Sequence, residues 1–279
     1  MLLKLGLVGH PVGHSMSPWI HEQLMDQQDI KGSYELFDLN PEKFDEEIQS
    51  SEIKGLDGFN VTVPYKEKII PHLADLDESA KELGAVNTVK NTSKGWVGYN
   101  TDGTGFVDSL TNDYPNCLNN QARVLLLGSG GASRGIYHAL LKNDVATIDI
   151  ANRTLQRAKD IIGQSTASID SHAIKLDEAA ECLSDYDVVI QTTTVGMSPN
   201  DDQQIIPVKR LTKGTIVSDI VYRPMETRFL KEAKEYGARL HFGHQMLLQQ
   251  AVYAFKIWTE TNPDASGLLE EFEKKLKGV

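Results

Sequence analysis

Cysteine is scarce in this chain of 279 residues, which contains only Cys117 and Cys182. Their spacing matches neither a redox pair nor a zinc site, so we predict no metal centre and a reducing, cytoplasmic compartment. Long apolar runs are also lacking, and none reaches the roughly 20 residues that a membrane-spanning helix needs. The apolar N-terminal run is broken by Gly9-His10-Pro11, too early for a signal peptide. We therefore expect no membrane partner.

Positive charge is in the minority as well. The chain has 28 Lys and Arg residues against 39 Asp and Glu residues, a net charge of -11, and a pI near 5.2. Such a balance argues against nonspecific binding to nucleic acids or anionic membranes, but it permits a local pocket for a small anion. The hydrophobic content of 40% is that of an ordinary globular protein. A chain of this length accommodates two domains.

The first hundred residues alternate strand and helix patterns. Leu5–Val8 and Ser33–Leu39 are typical of strands, and the segments around Val89 and Val97 flank a turn, which predicts a β-hairpin. Helices are predicted at Pro41–Ile48, through Ile69–Leu73, and at Asp77–Leu83, which Gly84 ends. This alternation, with one hairpin, predicts a mixed α/β sheet.

Asn60–Lys66 is the most informative stretch of this part. Its residues alternate with a period of two, so that Val61 and Val63 are expected on one side of a strand. Pro64 cannot donate to a sheet ladder and should end the strand, which leaves Lys66 at the start of the next helix. The amide, hydroxyl and ammonium groups of this stretch indicate either a ligand-facing edge or an ordinary strand that ends in a solvated lysine.

Two serines stand beside a predicted helix start. Ser17-Pro18 is typical of an N-cap followed by proline in the first helical turn. Ser15 lies two residues earlier, and two hydroxyls at a helix N-terminus can also hold a carboxylate. Ser17 is therefore interpreted either as a cap or as a ligand contact.

The middle of the chain carries a glycine turn. Arg123–Leu127 is a continuous apolar run, as expected of a central parallel strand, and it leads into Gly128-Ser129-Gly130-Gly131-Ala132 and a helix through Leu141. Gly128 permits the tight turn, and Gly130 allows the backbone to approach a pyrophosphate at the helix N-terminus. Ser133 replaces the third glycine of the usual fingerprint, which makes the motif a less specific sign of dinucleotide binding.

The next strand, Thr147–Ala151, ends in Asn152-Arg153-Thr154, with Arg157 one turn further on. A site that prefers NAD usually has an acid here to bind the ribose 2′-hydroxyl. Asp149 lies inside the strand, three residues too early. Guanidinium groups bind a 2′-phosphate well, so we predict NADP as the cofactor. The alternative is that the two arginines are solvated side chains at a helix start.

Later segments supply further candidates. Ligands bind beyond the carboxyl ends of parallel strands. Ile220 and Tyr222, at the end of the predicted strand Thr215–Tyr222, are therefore expected to contact cofactor and substrate. Asp102 is either a helix cap or a catalytic group. Gln250, on a largely apolar helix, is either a core amide or a ligand contact.

Taken together, the chain resembles the shikimate dehydrogenase family over essentially its whole length. The motifs that carry the resemblance are His14–Pro18, Asn60–Lys66, Gly84–Thr88, Asn100–Gly103, Gly128–Ala132, Asn152-Arg153-Thr154 with Arg157, Val221–Pro224, and Gln250-Ala251. Two departures are minor. Gln191–Met197 differs from the family's usual sequence before Gly-Met, and Ser129 stands where alanine is commoner.

The resemblance implies reversible, NADPH-dependent reduction of 3-dehydroshikimate to shikimate, in the pathway to aromatic amino acids. It implies that Lys66 is the general acid/base and that Asp102 orients it. It assigns substrate binding to Ser15, Ser17, Thr62, Asn87, Asp102, Tyr222 and Gln250. It assigns cofactor binding to the Gly128–Ala132 turn, the Asn152-Arg153-Thr154 corner with Arg157, Ile220, and also Glu78 and Gly243.

The resemblance also implies an architecture. Residues 1–102 would form a mixed-sheet substrate domain, residues 103–242 a doubly wound, Rossmann-type NADP-binding domain, and residues 243–279 helices that return to the first domain. The expected partner is a small molecule, and both a monomer and a homodimer remain open. Two alternatives stand: a quinate/shikimate dehydrogenase with relaxed cofactor use, and a non-catalytic NADPH-binding sensor.

Overall fold

The computed structural model describes residues 2–165 and 168–278, which form two compact units. One unit comprises the residues up to Thr101 together with Leu248–Phe272, and the other comprises Asp102–Leu247 and the residues from Glu273 onward. The segment Leu248–Phe272 thus belongs to the same unit as the N-terminal part. Within these ranges no helix has both the length and the apolar character needed to cross a membrane.

The first unit is built on a mixed sheet. Its elements, in chain order, are β1 (Leu3–Gly9), α1 (Ser17–Gln27), β2 (Gly32–Asp38), α2 (Phe44–Glu47), α3 (Ser51–Lys54), β3 (Gly58–Val61), β4 (Asp75–Leu76), α4 (Glu78–Leu83), β5 (Thr88–Thr92) and β6 (Gly95–Tyr99). Among the described residues the sheet has six strands in the order β2-β1-β3-β5-β6-β4. Strands β1, β2 and β3 are parallel, whereas β5 pairs antiparallel with β3 and β6. The predicted mixed sheet and hairpin are confirmed.

The second unit is built on a parallel sheet. Its elements are α5 (Asp102–Asp113), β7 (Arg123–Leu127), α6 (Gly131–Leu140), β8 (Thr147–Ala151), α7 (Leu155–Gly163), β9 (Ala173–Ile174), α8 (Leu176–Glu181), β10 (Val188–Gln191), β11 (Ile216–Asp219), α9 (Arg228–Glu235) and β12 (Arg239–Phe242); α10 (Gly243–Thr259) and α11 (Ser266–Lys277) follow. In the described part of the chain the strand order is β12-β11-β10-β7-β8-β9. The order reverses between β7 and β10, the place where doubly wound sheets bind ligands.

Strand β7 shows why the second unit is doubly wound. Val124 and Leu126 belong to one apolar cluster with α5 and α6, while Leu125 and Leu127 belong to another with α8 and α9. All four side chains are fully buried. Because successive side chains point to opposite faces, a strand covered on both sides must be apolar throughout. The interpretation of this run as a central parallel strand is confirmed.

The sheet of the first unit has two unlike faces. Phe59, Val61 and Val89 pack on one face, in a cluster with Trp96. The other face carries more polar and aromatic groups, and there the indole of Trp258 lies so close that a Cβ on Gly58 would come within 2.2 Å of it. Trp258 also donates a hydrogen bond to the carbonyl of Val89 at 2.8 Å. Helix α10 is therefore docked on this sheet by a specific contact.

Strand β3 ends earlier than the sequence pattern predicts. Val61 is 1% exposed and ends the strand, whereas Val63 is 67% exposed, so the two valines do not share a buried face. The N–H of Tyr65 donates to the carbonyl of Thr62 at 2.9 Å, which closes a turn around Val63 and Pro64. Lys66 lies in the turns that follow and not at a helix start. Pro64 has no backbone N–H to donate to a neighbouring strand, which favours a turn at this point over a longer strand.

The predicted helices of the first unit are also shorter than expected. The acidic helix predicted over Pro41–Ile48 is a single turn, Phe44–Glu47, and the helical segment before Leu73 is a 3₁₀ turn, Ile70–His72. Helix α4 fits its prediction, because Asp77 is its N-cap and Gly84 ends it in the left-handed region at φ 59°. A glycine in that conformation is the commonest helix terminator.

Candidate active site

Ser15 and Ser17 contact each other at the start of α1. The N-cap is Met16, so the expectation that Ser17 caps the helix is wrong; Ser17 is the first helical residue. Its backbone N–H donates to Ser15 Oγ at 3.1 Å, and the Ser15 hydroxyl donates to Ser17 Oγ at 3.1 Å. No side chain caps α1, but Ser15 Oγ accepts one N–H at its start, and both hydroxyls lie side by side at a helix N-terminus.

Lys66 is held by its neighbours rather than by a helix. Tyr65 is fully buried, stacks on Phe44 with ring centroids 4.3 Å apart, and donates its hydroxyl to the carbonyl of Leu39. The carbonyl of Lys66 accepts a hydrogen bond from Val86 N at 2.8 Å. The backbone of the lysine is therefore anchored on both sides, and its side chain is half-buried.

Asn87 is buried among other polar groups of the first unit. Its Oδ1 accepts hydrogen bonds from Thr101 N and from Thr88 Oγ1, each at 2.9 Å, and its Nδ2 donates to Thr101 Oγ1 at 2.9 Å. The Thr101 hydroxyl donates in turn to the carbonyl of Gln250 at 3.1 Å. The structure thus brings Asn87 and Gln250, two predicted substrate-binding residues, close to the same threonine.

Thr62, Asp102 and Glu78 complete the predicted residues of this region. Thr62 is half-buried just beyond β3, and its N–H donates to the carbonyl of Val8 at 2.9 Å. Asp102 follows Thr101 directly as the first residue of α5 and is 8% exposed. Glu78 is exposed at the first position of α4. Both carboxylates lie in a first helical turn, where the helix dipole favours negative charge.

The glycine turn after β7 requires glycine for two reasons. Gly128 has φ 113°, and a Cβ there would lie 2.5 Å from Thr193 Cγ2. Its N–H donates to the carbonyl of Ala151 at 2.8 Å. Ser133, which replaces the third glycine of the usual fingerprint, is fully buried and donates its hydroxyl to the carbonyl of Gly128 at 2.8 Å. The hydrogen bond from Ser133 therefore stabilises the glycine turn at Gly128.

The start of α6 is open to a ligand. A Cβ on Gly130 or Gly131 would meet no atom of the described residues within 4 Å. Gly130 is the N-cap, and no side chain caps the helix. Ser129 and Ala132 are half-buried beside it. A helix N-terminus with exposed N–H groups and no Cβ in the way fits the pyrophosphate of a dinucleotide.

The corner after β8 presents two guanidinium groups. Arg153 and Arg157 are exposed, and neither is paired with an acid among the residues that the structure describes. Asn152 Nδ2 donates to the carbonyl of Thr154 at 2.9 Å, which shapes the corner. Asp149 is buried and accepts the hydroxyl of Tyr186 at 2.7 Å. Its carboxylate is thus occupied inside the unit, and the corner fits a ribose 2′-phosphate.

Ile220, Tyr222 and Gly243 lie near the carboxyl end of β11. A Cβ on Gly243 would lie 2.3 Å from the carbonyl oxygen of Ile220, so only glycine allows α10 to begin here. Ile220 N donates to the carbonyl of Gln191 at 3.1 Å. Tyr222 is half-buried; burial raises the pKa of its hydroxyl, and the charge of Arg223 lowers it.

Asp219 is an important residue that the sequence analysis missed. Its fully buried carboxylate accepts hydrogen bonds from Gln191 Nε2 at 3.0 Å, Val221 N at 2.9 Å and Thr227 Oγ1 at 2.7 Å. Burial raises the pKa of this carboxyl to about 6. The signal was an acid at the end of an otherwise uncharged strand. Asp219 anchors the loop that carries Ile220 and Tyr222.

Across residues 2–165 and 168–278, no group of three or more His, Cys, Asp or Glu side chains is arranged to hold a metal ion.

Comparison with known proteins decides the family. Residues 7–89 match the model of the shikimate dehydrogenase substrate binding domain, residues 114–221 that of shikimate / quinate 5-dehydrogenase, and residues 243–270 that of the shikimate 5'-dehydrogenase C-terminal domain. The chain is 49% identical, over the full length of both proteins, to a shikimate dehydrogenase (NADP(+)) of Oceanobacillus iheyensis. It belongs to the shikimate dehydrogenase family.

Solved structures of family members have the same fold. The shikimate 5-dehydrogenase of Thermus thermophilus in complex with NADP(H) and shikimate superposes with a TM-score of 0.86, at 32% identity over 96% of this chain and 98% of the other. A quinate dehydrogenase of Corynebacterium glutamicum in complex with NAD gives 0.85, at 29% identity over 98% and 99%. The expected family and two-part α/β fold are confirmed.

Proposed function

We propose that this protein is an NADP-dependent shikimate dehydrogenase, which reversibly reduces 3-dehydroshikimate to shikimate on the route to aromatic amino acids. The observation that carries the proposal is its 49% identity, over the whole chain, to a shikimate dehydrogenase (NADP(+)). The arginine corner after β8 supports it from the structure, because its charge suits NADP rather than NAD.

The second unit is proposed to hold the cofactor. The turn from Gly128 to Ala132 and the N-terminus of α6 would bind the pyrophosphate, and Asn152, Arg153, Thr154 and Arg157 the ribose 2′-phosphate. Ile220 and Gly243, and Glu78 from the first unit, would border the nicotinamide. When bound, NADP supplies the hydride acceptor for shikimate oxidation, and the protein must supply orientation and proton transfer.

Lys66 is proposed to be the general acid/base. In the reducing direction its ammonium donates a proton to the substrate oxygen as the carbonyl becomes an alcohol, and in the oxidising direction the neutral amine removes that proton. Asp102 is proposed to orient the ammonium and a neighbouring substrate hydroxyl. The buried anchors around Tyr65 favour this role, because they hold the backbone of Lys66 in one position.

Substrate binding is proposed for the polar groups of residues 1–102, with two residues from elsewhere. Ser15 and Ser17 would bind the carboxylate, since their hydroxyls lie 3.1 Å apart at a helix N-terminus. The remaining groups would bind the substrate's hydroxyls; they are Thr62, Asn87, Asp102, Tyr222 and Gln250. Residues 103–242 would form the NADP-binding domain, and residues 243–279 the helices that return to the substrate domain.

The setting of the protein follows from its composition. Two free cysteines are consistent with a cytoplasmic enzyme. The charge of -11 supports a small-molecule substrate and no nucleic-acid partner. We expect a monomer or a homodimer.

A quinate/shikimate dehydrogenase is the second candidate, since the quinate dehydrogenase of Corynebacterium glutamicum in complex with NAD has a closely similar fold. Steady-state oxidation of shikimate and of quinate, each with NADP and with NAD, separates the two. We expect shikimate with NADP to have the highest kcat/KM by well over tenfold. Comparable values for quinate would support the second candidate. Cofactor binding without turnover of either substrate would instead indicate a non-catalytic sensor.

A further inference from the structure

We propose that Tyr34, Asn60 and Thr88 are positioning residues for substrate binding. They start a chain of hydrogen bonds, all within the first unit, that runs through Asn87 and Thr101 to Gln250. Backbone groups that can only donate or only accept take part in these hydrogen bonds, so the side-chain amide of Asn87 has one possible orientation. The inference rests on the proposed function, because it concerns residues that we assign to the shikimate site.

The first part of the chain is determined by a backbone carbonyl. Asn60 Nδ2 lies 3.1 Å from the carbonyl oxygen of Asn87, which can only accept a hydrogen bond. The amide nitrogen of Asn60 must therefore face Asn87, and its Oδ1 must face Tyr34, whose hydroxyl donates to it at 2.8 Å. The same Nδ2 donates to Thr88 Oγ1 at 3.1 Å. Asn60 and Thr88 meet because they are directly opposite each other on β3 and β5.

The second part follows from the first. Thr88 Oγ1 accepts from Asn60, so its single proton is available for Asn87 Oδ1, at 2.9 Å. The backbone N–H of Thr101 can only donate, and it also donates to Asn87 Oδ1, at 2.9 Å. The Thr88 hydroxyl and the Thr101 N–H are both donors, so the amide of Asn87 must turn its oxygen, and not its NH2 group, toward them.

The last part leads to Gln250. Asn87 Nδ2 donates to Thr101 Oγ1 at 2.9 Å. The Thr101 hydroxyl lies 3.1 Å from the carbonyl oxygen of Gln250 and 3.3 Å from Asn87 Oδ1, and the carbonyl is the nearer acceptor. Backbone groups thus define the direction at both ends of the chain. A chain of this kind is strengthened by the low polarity of its surroundings, and Asn60, Asn87, Thr88 and Thr101 are each at most 5% exposed.

Tyr34 is held in place independently. Its ring stacks on the ring of His21, with centroids 4.6 Å apart and planes 6° apart, and both side chains are buried. His21 lies one helical turn after Ser17 on α1. Burial raises the pKa of the Tyr34 hydroxyl, and the neighbouring Ser17 side chain lowers it. The start of the chain is therefore next to the serines that we assign to the substrate carboxylate.

The consequence for binding concerns the asparagine. An amide that can rotate by half a turn presents either an oxygen or an NH2 group to a ligand, and the wrong choice places two acceptors or two donors together. The hydrogen-bond network permits only one orientation of the Asn87 amide before substrate binds. Binding then has no reorientation cost, which is the general benefit of preorganisation.

The test uses Thr88→Val and Thr88→Ser in the full-length enzyme. Valine keeps the shape but removes the hydroxyl that joins Asn60 to Asn87, so we expect the KM for shikimate to rise by about tenfold, with the KM for NADP changed by less than about twofold. Serine keeps the hydroxyl, and we expect its KM for shikimate within about threefold of wild type. Calorimetric Kd values for shikimate should follow the same order.

Thr215→Val is the matched control. Thr215 is also 5% exposed, and its hydroxyl donates to the carbonyl of Tyr186 at 3.3 Å in the second unit. This variant should lose some thermal stability and keep its KM for shikimate. Should Thr88→Val fail to fold, Tyr34→Phe carries the test, with an expected rise of about threefold in that KM.

Each outcome is decisive. If Thr88→Val, or Tyr34→Phe in its place, binds shikimate like wild type, the positioning role is overturned and the network serves stability alone. The same holds if Thr88→Ser is as impaired as Thr88→Val. Failure of the proposed function looks different, because the wild-type enzyme itself would not oxidise shikimate.

Discussion

Asn87 holds Thr101 through both ends of its side-chain amide. The N–H of Thr101 donates to Asn87 Oδ1, and Asn87 Nδ2 donates to Thr101 Oγ1, each at 2.9 Å. Thr101 immediately precedes Asp102, the carboxylate that we propose as the partner of Lys66. The amide of Asn87 therefore holds the residue that precedes a proposed catalytic group, in addition to its own proposed contact with substrate.

Replacing Asn87 should consequently affect kcat as well as KM. Asn87→Ala removes the side-chain hydrogen bonds to Thr101, so we expect kcat for shikimate oxidation to fall by about tenfold or more while KM rises. Gln250→Ala is the comparison, because the backbone carbonyl that accepts from Thr101 remains. There we expect a rise in KM and a kcat near that of wild type. Equal kcat values in the two variants would contradict the positioning of Asp102 by Asn87.

Cofactor preference should depend on the corner after β8. A charge-assisted hydrogen bond to phosphate contributes roughly 1.5–3 kcal/mol, so Arg153→Ala should reduce the preference for NADP over NAD by about one to two orders of magnitude. Arg210→Ala is a suitable control in the same unit, since Arg210 is a surface residue paired with Glu181 at 3.2 Å. Measuring kcat/KM with both cofactors gives the preference directly. An Arg153→Ala enzyme that discriminates as well as wild type would show that this arginine is merely solvated.

The two serines at the start of α1 should behave differently. Ser15 accepts the N–H of Ser17, so Ser15→Ala should both raise the KM for shikimate and lower stability by about 1 kcal/mol, as loss of one hydrogen bond does. Ser17→Ala removes a hydroxyl but no cap, so we expect a higher KM with an almost unchanged Tm. Thermal melts beside steady-state kinetics separate the two effects. A Ser17→Ala variant that loses stability and keeps its KM would show that this hydroxyl stabilises the helix start and does not bind the substrate.

These serines also show what the sequence could and could not predict. A serine followed by proline is a good sign of a helix start, and the helix does begin at Ser17. The predicted cap did not form: Ser15 Oγ accepts the N–H of Ser17 instead, because hydrogen bonds from i to i+2 compete with the standard N-cap geometry. Strand β7, the glycine turn and the arginine corner were predictable, since each depends on residues adjacent in sequence.

Contacts between distant residues were not predictable in this way. Asn87 and Thr101 are 14 positions apart, and Asp219 meets Gln191 across 28 positions. Pairings of this kind depend on strand register, which no local pattern reveals. The same reason explains β3, where a period of two predicted a longer strand but the turn closed by Tyr65 and Thr62 ended it after Val61.

Asp219 should make stability depend on pH. Burial raises the pKa of its carboxyl from 3.8 to about 6, so between about pH 4 and pH 6 the folded state binds more protons than the unfolded state. Its contribution to the free energy of unfolding should therefore fall as pH rises through this window, by about 3 kcal/mol in total. Asp219→Asn removes the titration and keeps an oxygen for Gln191 and Val221.

The measurement for Asp219 is urea unfolding of wild type and Asp219→Asn at several pH values from about 4 to 7. Other carboxyls titrate alike in both proteins, so the difference between the two curves isolates Asp219. We expect that difference to change steadily up to about pH 6 and to level off above it. A difference that is independent of pH would show that the Asp219 carboxyl has the same pKa in the folded and unfolded protein.

We propose that Lys66 transfers the proton during shikimate oxidation, and the decisive measurement is kcat for Lys66→Ala with shikimate and NADP. Lys68→Ala is the matched control, because Lys68 is an exposed lysine two residues further along the same turns. We predict that Lys66→Ala lowers kcat by about 10²–10⁴ while its Kd for NADP stays within about twofold, and that Lys68→Ala has the kcat of wild type. A Lys66→Ala enzyme with near wild-type kcat would contradict the account.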